Sequence, residues 1–150
     1  MASRQSFLRI ALATGFVAFG LAGCGSMQPS NVDEYRASLN GTQEVPPTGS
    51  SATGAAELRF NRDTRVLSWK VTYSGLSGPA TAGHIHGPAA AGQNAGVSVP
   101  FSNVNTQPVA GEATLTAQQA ADLAAGRMYI NIHSARNPGG EIRGQVMASH

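Results

Sequence analysis

Three of the four histidines fall in two short segments. His84 and His86 lie in Gly83-His84-Ile85-His86-Gly87, and His133 ends Met128-Tyr129-Ile130-Asn131-Ile132-His133. Side chains alternate along a β-strand with a period of two, so a His-x-His pair on a strand presents both rings to one face. The rings then stand roughly 7 Å apart, within reach of one shared metal ion. A neighbouring strand carrying His133 would bring in a third imidazole. Neutral imidazoles suit copper or zinc, with copper favoured by intrinsic affinity. Three ligands leave a coordination position open to water or substrate. The competing reading is three ordinary polar positions on adjacent strands, satisfied by hydrogen bonds. The fourth histidine, His150, is the terminal residue.

The segments around the histidines read as strands and turns. Tyr35 to Leu39 alternates, with Tyr35, Ala37 and Leu39 on one face. Residues 40–54 contain Pro46-Pro47 and several Gly, Ser and Thr residues, and read as a loop. Ala56 to Phe60 alternates again, and Asn61-Arg62-Asp63-Thr64 forms a hairpin turn into Val66 to Tyr73. In that strand Leu67, Trp69, Val71 and Tyr73 share a face, and Trp69 is read as a core anchor. Ala82 to Gly87 carries the histidine pair, and Pro88 ends it because proline cannot donate to a ladder. Residues 89–96 form a small-residue surface loop. Val97 to Phe101 follows with Val97, Val99 and Phe101 inward, and Gly111 to Leu115 is another short strand.

One helix is expected. Thr116 and Gln119 have capping-box spacing, Ala117 to Ala125 are good helix formers, and Gly126 suits the C-terminal cap. A helix this short needs tertiary support, expected through Ala120, Leu123 and Ala124. In Met128 to His133, Ile130 and Ile132 share one face and Tyr129, Asn131 and His133 the other. Asn137-Pro138-Gly139-Gly140 is a turn, after which Glu141 to Val146 returns antiparallel. Glu141 and Arg143 are read as solvated charges or an exposed ion pair in preference to groups supporting His133. Ser134 beside His133 makes no Ser–His pair, because adjacent strand positions point to opposite faces. The expected fold class is all-β: an antiparallel Greek-key β-sandwich or barrel with one short helix.

The N-terminus has a different character. Arg4 and Arg9 precede a short apolar run that ends in Leu21-Ala22-Gly23-Cys24. The run is short for a spanning helix of about 20 residues, and the basic–apolar–small progression is that of a secretory signal. Leu-Ala-Gly-Cys resembles the lipobox of bacterial lipoproteins, which implies cleavage before Cys24 and attachment of lipid to its thiol. Residues 1–23 are then a signal peptide, 24–33 a tether and 34–147 the folded domain. By the same resemblance, Gly25 in place of an Asp points to the outer membrane, with the domain facing the periplasm. Cys24 is the only cysteine, so an intrachain disulfide is excluded. Two of the ten basic residues leave with the signal, and the remaining eight face eight acidic ones. No basic stripe remains, and no nucleic-acid partner is expected.

Four segments together resemble the CHRD domain, first delineated in the animal protein chordin. They are Leu39-Asn40-Gly41-Thr42-Gln43-Glu44-Val45-Pro46-Pro47, the His84/His86 segment, the helix, and Tyr129 through Gly144. The resemblance covers about Tyr35 to Val146. Occurrence in chordin implies an alternative function, a protein-binding or adhesion module without metal and with an envelope protein as partner. The His-x-His pair is also similar to the copper-binding strand of copper–zinc superoxide dismutase, a Greek-key barrel. That likeness implies copper at His84, His86 and His133. The bridging histidine, the zinc-loop ligands and the disulfide of that family are missing, and no substrate pocket is evident.

Overall fold

Nine strands and one helix organise the computed structural model, which describes residues 31–149. The strands are β1 (Val32–Asn40), β2 (Thr53–Asn61), β3 (Val66–Ser74), β4 (Ala80–His86), β5 (Val97–Pro100), β6 (Val109–Thr114), β7 (Tyr129–Ser134), β8 (Ile142–Gln145) and β9 (Met147–Ala148). The helix α1 (Ala117–Ala124) lies between β6 and β7. The signal segment, Cys24, the tether up to Ser30, and His150 lie outside the described residues. Val32 and Asp33, placed in the tether by sequence, already pair with β2.

The order across the sheet is β5-β4-β7-β8-β1-β2-β3-β6, with β9 also on β1. Every pairing is antiparallel. The sheet curls into a nearly closed barrel. The β3–β4 and β6–β7 connections join strands that are not neighbours, which gives the barrel its Greek-key character. The expected fold class is therefore the observed one.

Period-two alternation fills the interior. Tyr35, Ala37 and Leu39 on β1, Ala56, Leu58 and Phe60 on β2, and Leu67, Trp69 and Val71 on β3 are all buried. Tyr35 pairs with Leu58, and Leu58 with Trp69, so the rows meet side by side. Gly111 faces Trp69 from β6, where a Cβ would come within 2.6 Å of the indole. Glycine there lets the large ring lie against the backbone.

Residues 101–108 bridge the two sheet edges, β5 and β6. Phe101 stacks on Trp69 with 5.1 Å between ring centroids. The Tyr73 hydroxyl donates to the Val104 carbonyl at 2.6 Å, and the Asn105 amide donates to the Ala80 carbonyl at 2.9 Å. Gly83 permits this approach, since a Cβ there would meet Phe101 and Ile132 at 2.9 Å.

Two local expectations need correction. Val97 is 53% exposed rather than inward. The β4–β5 register shifts between Ile85 and His86, so Val99 pairs with inward Ile85 while Val97 pairs with outward His86. On α1, Leu123 docks as expected, but Ala124 is exposed and Asp122 is buried in its place. Asp122 is tolerated because Arg127 pairs with it at 2.5 Å. The capping box is present, with Thr116 Oγ1 accepting from the Gln119 amide and Gln119 Oε1 from the Thr116 amide. Gly126 takes the left-handed conformation at φ 66° that ends the helix.

Candidate metal centre

The register between β4 and β7 builds the site. Ile85 pairs with Ile130 and Gly83 with Ile132, all facing the barrel interior. The alternate positions therefore face outward. His84 pairs with Asn131, His86 with Tyr129, and Ala82 with His133. His133 thus sits diagonally from His84, and all three histidines share the outer face of one strand pair.

An outer face is ordinarily wet, but here loops cover most of it. His86 and His133 are each 8% exposed and Asn131 3% exposed, while His84 is half-buried. The segment 93–95 forms part of the cover. Arg143 donates to the Gln93 carbonyl at 2.6 Å and to Asn94 Oδ1 at 2.9 Å, and Asn94 in turn donates to the Val45 carbonyl at 2.8 Å. The Tyr129 hydroxyl exchanges hydrogen bonds with the Ala95 amide and carbonyl at 3.2 and 3.3 Å.

The ring nitrogens converge. His84 Nδ1 is 3.0 Å from His133 Nε2. One ligand atom from each of the three rings lies within 4.8 Å of the others, so the group could hold a metal ion. Two backbone carbonyls orient the rings. His86 Nδ1 lies 3.0 Å from the Ala95 carbonyl oxygen, and His133 Nδ1 lies 2.9 Å from that of Pro138. A carbonyl only accepts, so each Nδ1 carries the proton, and each neutral ring keeps its lone pair on Nε2. Metal-ligating histidines are oriented in this way, the second nitrogen donating to a carbonyl.

Burial favours the uncharged form of His84 and His86. It pushes the pKa of His84 below its ordinary value, with further lowering from His133 and His86. Burial likewise lowers the pKa of His86, opposed in part by hydrogen bonds to Ala95 and Asn131. Neutral imidazole is the form that binds metal.

Tyr129 lies parallel to His86, with 4.8 Å between centroids and 2° between planes. The Arg143 guanidinium carbon lies over the Tyr129 ring, 3.4 Å from its centroid. Arg143 is 1% exposed, which overturns its reading as a solvated charge. It supports the site through Tyr129 and the covering loop. Glu141 is fully buried and forms no ion pair with Arg143. Its carboxylate accepts from Ser50 at 2.7 Å, from the Ser77 amide at 2.8 Å and hydroxyl at 2.7 Å, and from Ser134. Burial opposes its ionisation, but these bonds outweigh burial and hold its pKa at about 2. Ser134 is thus committed to Glu141, in keeping with the absence of a Ser–His pair.

The expected ligands His84, His86 and His133 come together as the strand readings require. Sequence reasoning passed over Asn131 and Glu44. Asn131 had a signal, since it shares the His133 face of β7. Glu44 stood in the CHRD-like segment 39–47, but nothing there pointed to the histidines, because it follows the 3₁₀ turn Gly41–Gln43 in a segment read as a loop. It is buried beside Asn131, and burial raises its pKa to about 7, opposed by Arg143, the Val45 amide and Asn131.

The CHRD domain family model matches residues 35–146. No curated protein and no solved structure matches the chain. The match spans most of the sequence and takes in every strand that carries or covers the histidines, so the chain belongs to the CHRD domain family.

Proposed function

We propose that this is a cell-envelope lipoprotein whose CHRD domain binds a transition metal, copper before zinc, through His84, His86 and His133. One observation carries the reading: three largely shielded imidazoles converge, two of them with Nδ1 turned to a backbone carbonyl. Ring nitrogens gathered within 4.8 Å of one another suit a shared cation. Copper is preferred because its divalent ion stands highest in affinity for nitrogen donors. The similarity of His84 and His86 to the superoxide dismutase copper strand supports the same choice. Cys24, by the lipobox resemblance, ties the domain to the outer membrane facing the periplasm, where it meets metal ions entering the cell.

Copper(II) titration of the untagged full chain in detergent tests the proposal. The wild type should bind one equivalent, and the His84/His86/His133 triple alanine variant should bind none at that site. Equal binding by the two proteins would sink it.

A further inference from the structure

Asn131 stands between the three histidines, and its environment is hard to reconcile with an ordinary structural amide. Its Oδ1 lies 3.0 Å from His86 Nε2 and 2.9 Å from His133 Nε2. Both rings have already committed their one N–H to the Ala95 and Pro138 carbonyls. With both rings neutral, two nitrogen lone pairs face an amide oxygen that also offers only lone pairs, a mismatch that a proton or a metal ion between them relieves. In a shielded site, three acceptors at hydrogen-bond distance repel one another unless a cation lies between them. The Asn131 amide nitrogen lies on the side of the buried Glu44 Oε1, both atoms within 2.7 Å of where a Gly140 Cβ would stand, so turning the amide over would move its oxygen away from the two rings and toward Glu44.

We propose, building on the metal-binding reading above, that Asn131 Oδ1 is the fourth ligand. The donor set is then His84 Nδ1, His86 Nε2, His133 Nε2 and Asn131 Oδ1. Ligand atoms at about 2.0–2.1 Å from a tetrahedral ion lie roughly 3.3 Å apart. The observed 3.0 Å between His84 Nδ1 and His133 Nε2, and the two Asn131 distances, need a small expansion, while the histidine ligand atoms, spread over up to 4.8 Å, must draw together. An oxygen donor also selects for charge state. Three nitrogens and an amide oxygen suit copper(II) or zinc(II), whereas copper(I) prefers softer sulfur ligands. Four protein ligands close a tetrahedral site, so this centre holds its metal rather than presenting it to a substrate.

The test uses the untagged full chain in detergent, with copper(II) affinity measured by chelator competition and ligation by electron paramagnetic resonance. Asn131→Ala should bind copper(II) at least about tenfold more weakly. Its copper hyperfine splitting should shift, which a purely structural contact would not cause. Asn131→Asp, which restores an oxygen at the same place, should recover binding and a spectrum close to the wild type. It also serves as the reference should the alanine variant unfold. Wild-type affinity and spectrum in Asn131→Ala, with binding lost in the triple histidine variant, would overturn the role of Asn131 and leave the histidine site standing. So would Asn131→Asp failing to bind while folded. Absence of copper(II) binding by the wild type would overturn both.

Discussion

His84 Nδ1 lies 3.0 Å from His133 Nε2 across 49 residues of sequence. The contact exists because β4 and β7 pair in the one register that sets His84 against Asn131 and His133 a step further along. A shift of one residue would turn one partner's outward row toward the barrel interior.

The site makes metal binding depend on protonation in a defined direction. His84 and His86 have pKa values below the ordinary 6.5, so they stay neutral to lower pH than free histidines. Copper(II) binding should therefore persist at pH 6.5 and fall off on further acidification, as protons compete for the nitrogens. His84→Ala or His86→Ala should weaken binding by more than about tenfold, whereas His150→Ala should leave it unchanged. Titrations across pH 4–8 with each variant measure this.

Trp69 carries much of the barrel's packing, lying against Phe101 and the bare backbone of Gly111. Trp69→Ala should cost roughly 3–5 kcal/mol of stability, the range for truncating a large buried aromatic. Urea unfolding followed by circular dichroism measures the loss. A cost under 1 kcal/mol would contradict the packing.

Glu141 predicts an acid transition. Its folded pKa of about 2 lies below the unfolded value of 4.5, so its contribution is complete above pH 4.5 and disappears as pH falls toward 2. The linked stability amounts to at most about 3 kcal/mol. Glu141→Gln should flatten the stability profile between pH 4.5 and 2, and should destabilise the domain at neutral pH. Thermal melts at stepped pH decide whether that slope belongs to Glu141.

Lipid attachment at Cys24 is tested in cells. Cys24→Ser should abolish labelling by a fatty-acid analogue and release the protein from the membrane fraction or leave it unprocessed. Continued labelling of that variant would refute the attachment point.

Much of this molecule follows from local chemistry. Alternation with a period of two puts Leu67, Trp69 and Val71 inside, and sets His84 with His86 and Asn131 with His133 on common faces. Thr116 and Gln119 start the helix and Gly126 ends it, because each acts on backbone groups a few residues away. These are short-range constraints, readable wherever the residues stand. Only the tertiary structure decided what those faces would meet. The β4–β7 register brought Asn131 among the histidines, and a shift against β5 turned Val97 outward. Loops from distant segments covered the outer face and buried Arg143, while Ser50 and Ser77 converged on Glu141. A charged residue on an outward strand position reads as solvated until something lies over it. What lies over it depends on long-range chain closure, which no local pattern encodes.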